Sequence, residues 1–135
     1  MLVLISSIAE GGQVPKPHLL IDVEGEKKKP VPQQPVRFSL EPEGLAVVKT
    51  GLERVVASPT GTGRLAQLPG VRVAGKTGTA QNPRGLPHAW FLGYAPADHP
   101  KVSFVVFLEH GGKGGLSAAM AARELLAYLK ELEYL

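Results

Sequence analysis

With 44% hydrophobic and only 20% charged residues, the 135-residue chain can bury a core, which excludes an intrinsically disordered polymer. Its net charge of +3 is dispersed among acidic residues, as in Glu24-Gly25-Glu26-Lys27-Lys28-Lys29, and aromatic residues are sparse, so no nucleic-acid partner is expected. The chain has no cysteine, which excludes disulfides and thiolate metal sites. His18, His88, His99 and His110 are too scattered for a local metal signature, so no metal or other cofactor is expected.

Met1 to Ala9 is apolar but lacks the basic start and cleavage site of a signal peptide, and it is shorter than the roughly 20 residues a bilayer-spanning helix needs. It reads as the end of a core helix stopped by Gly11-Gly12. The missing cap before it suggests that the chain starts partway through a fold. Residues 14–23 read as an extended segment broken by Pro15 and Pro17, and Glu24 to Lys29 as an exposed turn. Pro30, Pro32 and Pro35 keep the following segment extended and away from a central strand, completing an edge hairpin.

From Pro42 the apolar spacing becomes helical, with Leu45, Val48, Leu52 and Val55 on one stripe and an end near Ser58-Pro59. Thr60 to Gly63 reads as a glycine-rich turn, and Arg64 to Leu68 as one or two helical turns before Pro69-Gly70. Three strands are expected over residues 71–80, 89–94 and 102–108, with short links that favour antiparallel neighbours. Apolar residues on both alternating faces of 102–108 call for helices on each side of the sheet. After the loop Gly111 to Gly115, a long helix over residues 116–135 would present Ala118, Ala121, Ala122, Leu125, Leu129 and Leu132. The fold class is α+β, an antiparallel sheet covered by helices, with residues 1–135 as a single unit.

Two nucleotide-binding patterns occur out of place. Gly70-Val71-Arg72-Val73-Ala74-Gly75-Lys76-Thr77 satisfies the phosphate-loop spacing, which would suit an NTPase, but Val71-Arg72-Val73 alternates like a strand and no helix can follow Gly78, Asn82-Pro83 and Gly85. Gly61-Thr62-Gly63-Arg64-Leu65-Ala66 fits a dinucleotide fingerprint but follows a helix rather than a strand. The remaining reading of Lys76-Thr77-Gly78-Thr79-Ala80 is a strand beside a cleft. There Lys76 adds positive charge, threonine hydroxyls can hold a carboxylate, Gly78 admits a close backbone, and the Thr79 N–H can face a developing oxyanion.

Ala74-Gly75-Lys76-Thr77-Gly78-Thr79-Ala80-Gln81 followed by His88-Ala89-Trp90-Phe91-Leu92-Gly93-Tyr94-Ala95-Pro96 resembles class B penicillin-binding proteins, the elongation type in particular. The resemblance extends to Ile8-Ala9-Glu10-Gly11-Gly12, Pro17-His18-Leu19-Leu20 and Val105 to Gly111 with Gly114-Gly115, nearly the whole chain. It implies the carboxy-terminal part of a penicillin-binding transpeptidase fold, which cross-links peptidoglycan through an acyl-serine that β-lactams trap. Lys76 and Thr79 would be catalytic, and Thr77, Gly78, Thr79 and Ala80 would bind a stem peptide or β-lactam. The family works outside the cytoplasmic membrane on a membrane anchor.

Two family motifs are missing. No lysine stands three residues after Ser6, Ser7, Ser39, Ser58, Ser103 or Ser117, so there is no Ser-x-x-Lys nucleophile, and Asn82 completes no Ser-x-Asn. Both motifs lie upstream in the family, and truncation before residue 1 explains both absences. The chain alone is expected not to acylate. The alternatives are a stand-alone binding module, self-associating through an uncovered sheet face, and the P-loop NTPase.

Overall fold

The apolar run at the amino end propagates as helix α1 (Leu2–Ala9), which buries Ile5 and Ala9 one turn apart. Its buried Ser7 hydroxyl donates to the Val3 carbonyl at 2.7 Å, so this polar group is satisfied within the helix. The structure, a computed structural model, describes residues 1–17, 36–37 and 41–135. Beyond α1, β1 (Gln13–Val14) pairs antiparallel with β2 (Val36–Arg37), joining the two expected hairpin arms. The expected turn at Glu24 to Lys29 and the prolines at 30, 32 and 35 lie outside the described residues.

Helix α2 (Pro42–Ala57) starts with Pro42 in its first turn, where a missing N–H costs nothing. It ends because Ser58, preceding Pro59, takes an extended conformation. Only the second half of its apolar stripe packs well: Val56 is buried and Leu52 and Val55 are partly so, whereas Val47 and Val48 are exposed. Lys49 Nζ donates to the Ala9 carbonyl at 2.8 Å, tying α2 to the carboxyl end of α1.

The sheet is a meander of β3 (Ala74–Ala80), β4 (His88–Ala95) and β5 (Val102–Leu108), in that spatial order and antiparallel throughout. β3 starts at Ala74 rather than at Val71 as the alternation suggests. Val71 instead bridges Leu68 around Pro69-Gly70, the Arg72 side chain pairs with Glu53, and the Arg72 carbonyl accepts the Ala97 N–H at 2.8 Å. This segment therefore spends its hydrogen bonds on neighbours other than β4.

Both sheet faces are covered, but unequally. On one face Ala89, Phe91 and Phe104 pack with Ala118, Ala119, Ala122 and Leu126, and the Phe91 and Phe104 rings lie 5.9 Å apart. On the other, Leu92 and Tyr94 pack with Ile5 and Ala9 of α1. The last helix, α3 (Ala119–Glu131), follows a π-helical turn over Gly114–Ala118, so it is shorter than the expected span of 116–135. Its buried stripe is Ala118, Ala119, Ala122 and Leu126, whereas the expected Leu125 and Leu132 are exposed. A helix rich in alanine and leucine offers two apolar faces, and the small alanines allow the close approach to the sheet.

Candidate active-site wall

β3 pairs only with β4, so its other edge lacks a strand partner among the described residues. The register sets Lys76 opposite Leu92, Thr77 opposite Phe91, Gly78 opposite Trp90, Thr79 opposite Ala89 and Ala80 opposite His88. Because successive side chains alternate, Thr77 and Thr79 share the face of α3, while Lys76 and Gly78 belong to the face of α1. The candidate residues thus come together on one edge strand, with the hydroxyls and the ammonium leaving from opposite faces.

Each threonine is oriented by a different loop. The Thr77 and Thr62 hydroxyls are hydrogen-bonded at 2.9 Å, which brings the turn before β3 alongside the strand. The Gly114 N–H donates to Thr79 Oγ1 at 3.2 Å from the turn that opens α3. That donation leaves the Thr79 hydroxyl proton available for an outside acceptor. Gly114 must be glycine here, since a Cβ would stand 2.1 Å from the Gly78 carbonyl oxygen and 2.4 Å from that of Trp90. Lys76 Nζ, exposed, donates to the Thr77 carbonyl at 2.7 Å.

Gly78 meets a steric demand of its own, because a Cβ there would press on Trp90 Cβ at 3.2 Å. Thr62 and Gly114 were not singled out as site residues from the sequence. They stand fifteen and thirty-five positions from the threonines they contact, and nothing in local spacing reports such contacts. Lys76-Thr77 sits within a strand and no helix follows it before β4, so the geometry of a phosphate loop is absent at this motif.

Around the far end of β3 lies a second group. The His88 and His110 rings are 5.0 Å apart, with the His110 backbone N–H donating to His88 Nδ1 at 3.0 Å. The Asn82 amide nitrogen lies 3.2 Å from both His88 Nε2 and His110 Nδ1. No group of three or more histidine or acidic side chains suited to a metal occurs among the described residues.

Residues 1–127 match the family model for the penicillin binding protein transpeptidase domain. The peptidoglycan D,D-transpeptidase MrdA of Haemophilus influenzae is 36% identical over 140 residues, covering 90% of this chain and 22% of the relative. PbpA of Mycolicibacterium smegmatis, also a peptidoglycan D,D-transpeptidase, is 32% identical, covering 93% of this chain and 28% of its own. The D,D-transpeptidase domain of a peptidoglycan glycosyltransferase from Eggerthella lenta superposes with a TM-score of 0.80 at 31% identity, over 99% of this chain and 32% of that one. Penicillin-binding protein A of M. tuberculosis, solved as an imipenem acyl-enzyme complex, gives a TM-score of 0.73 at 29% identity, over 95% and 29%. The chain therefore spans between about a fifth and a third of the length of these relatives. With the helix-covered antiparallel sheet and the Lys-Thr-Gly edge strand both in place, the chain belongs to the penicillin-binding protein transpeptidase family, as a segment of its transpeptidase domain.

Proposed function

We propose that residues 1–135 act as one unit that supplies the ligand-holding wall of a peptidoglycan D,D-transpeptidase site, outside the cytoplasmic membrane where the wall polymer lies. The observation that carries this reading is the pair of hydroxyls on Thr77 and Thr79, side by side on one face of an edge strand. Residues two apart on a strand stand about 7 Å apart, close enough for both hydroxyls to reach one bound carboxylate. Lys76, leaving from the opposite face, adds positive charge at the same edge, where its Nζ meets the Thr77 carbonyl, and an extended stem peptide can add as a further strand along the side of β3 that has no strand partner among the described residues. The Thr79 N–H supplies one oxyanion donor to the scissile carbonyl.

The attacking hydroxyl has to come from a serine outside these residues, because none of the serines here has a lysine three positions on. No helix among the described residues is long and apolar enough to cross a membrane. Incubation with a fluorescent penicillin should leave the chain without a covalent label, and a label would refute the absence of a nucleophile. In the same chain, N-acetyl-D-alanyl-D-alanine should shift the amide resonances of Thr77 and Thr79, with Thr79→Val suppressing the shift. Resonances that stay put throughout would refute the wall.

A second reading is favoured by the unequal sheet cover. Among the described residues β5 pairs on one side only, and Phe107 is 46% exposed beside Trp90 at a ring distance of 4.4 Å. Two copies joined through β5 edges would cover both features. Sedimentation equilibrium should then show a concentration-dependent dimer, and a monomer at every concentration removes this reading.

A further inference from the structure

The two nitrogens of His88 cannot both act as they are placed. A backbone N–H can only donate, so His88 Nδ1, 3.0 Å from the His110 nitrogen, must be the unprotonated acceptor. In a neutral ring Nε2 then carries the proton. The Asn82 amide is oriented independently, since its Oδ1 accepts the Arg84 backbone N–H at 2.9 Å, leaving Nδ2 to face the imidazoles. Nδ2 has only protons to offer, so its approach to the protonated His88 Nε2 is a contact between two donors, while His110 Nδ1 lies 3.2 Å from both Asn82 Nδ2 and the Leu86 carbonyl oxygen. Two bonds are fixed in direction by their backbone donors, His110 N–H to His88 Nδ1 and Arg84 N–H to Asn82 Oδ1.

Those bonds tie the β3–β4 connection and the start of β4 to the segment that follows β5. Asn82 and Arg84 belong to the β3–β4 connection, His88 opens β4, and His110 follows β5 with φ of 53°, in the left-handed region that few non-glycine residues adopt. Directly after His110, the Gly112 N–H donates to the Pro87 carbonyl at 2.9 Å, and the Ser117 hydroxyl donates to the Gly111 carbonyl at 2.6 Å. Two residues beyond Gly112, the Gly114 N–H reaches Thr79 Oγ1.

We infer that His88, as the neutral Nε2–H tautomer, is a positioning residue: by holding the His110 N–H it fixes the loop over residues 109–115, and through Gly114 it sets the direction of the Thr79 hydroxyl. What Thr79 does for a ligand rests on the proposed wall. The hydrogen-bond chain itself does not, so it is tested without ligand.

On the intact chain, the nitrogen resonances of His88 at neutral pH should show a pyridine-type Nδ1 and a pyrrole-type Nε2. A proton on Nδ1 overturns the inference. Backbone amide exchange is then compared for His88→Leu, which has no acceptor, and His88→Asn, whose side-chain oxygen stands close to the place of Nδ1. The His110 and Gly114 amides should exchange roughly three- to tenfold faster in the leucine variant, the factor expected for losing one net hydrogen bond. Exchange should return toward the parent rate in the asparagine variant, with α2 amides unchanged in both. Parent-like exchange at Gly114 in the leucine variant, or equal acceleration in both variants, overturns it. If the leucine variant fails to fold, the tautomer and the asparagine variant's exchange still decide the question.

Discussion

Tyr94 is fully buried on the α1 face of the sheet among Ile5, Ala9, Leu92 and Ala97, and its hydroxyl has no hydrogen-bond partner among the described residues. Burying an unpaired hydroxyl costs about 1–3 kcal/mol. Tyr94→Phe removes that cost and leaves a void of one oxygen, so the variant should be more stable at pH 7 by about 1 kcal/mol, or by about 3–5 °C at this chain length. A second signature follows from ionisation. Burial, with a smaller contribution from the Glu53 charge, pushes the Tyr94 phenol from its ordinary value of 10.0 up to about 12. The neutral phenol is favoured in the folded state, so its contribution is intact below pH 10 and is lost as pH rises through 10 towards 12. A gap of that size bounds the loss at about 3 kcal/mol. Urea denaturation of both proteins at pH 7 and between pH 10 and 12 checks both points. Tyr128 and Tyr134 are exposed and present in both proteins, so the comparison isolates Tyr94. A Tyr94→Phe protein less stable than its parent at pH 7, or one that loses stability in alkali as steeply, would refute the reasoning.

Gly114→Ala would drive a methyl group into the backbone oxygens of Gly78 and Trp90, neither of which can move without distorting the sheet. It should destabilise the fold by about 1–3 kcal/mol in chemical denaturation and release the contact to Thr79. Unchanged stability would show that the turn is not seated on these strands. The Arg72–Glu53 pair, reinforced by Asp98 at 4.0 Å, joins exposed Arg72 to partly exposed Glu53. Glu53→Gln should therefore cost no more than about 1 kcal/mol, and less still at high salt; a thermal melt showing a larger loss would mean that the pair is better shielded from water than its exposure indicates.

The fold was legible where a segment carried its own periodicity or punctuation. Pro42 and Ser58-Pro59 bracket α2, and the strand residues 102–108 coincide with β5. It was less legible where partners decide. Val71 to Val73 alternate as a strand should, yet the Leu68 bridge and the Ala97 N–H claim them first. Leu125 and Leu132 fit a helical stripe as well as Leu126 does, and only the alanine surface at 118, 119 and 122 tells which side the sheet takes. The family and the wall motif could be read from Lys76 to Ala80 and the run from His88, and the match over residues 1–127 bears out the resemblance. Contacts that orient the wall could not be read, because Thr62, Gly114 and His110 reach it only through tertiary closure.

The register between β3 and β4 has a chemical consequence. With Gly75 opposite Gly93, the threonines face α3 and the lysine faces α1. A slip of one residue would turn every side chain over, presenting the ammonium where the hydroxyls now stand. A Cβ at Gly93 would lie 2.3 Å from the Ala74 carbonyl oxygen, so the two strands fit this closely only where glycine meets glycine. Which functional group a ligand would encounter is thus encoded two and four residues away from the threonines it would touch, by an absence of side chains at Gly75 and Gly93.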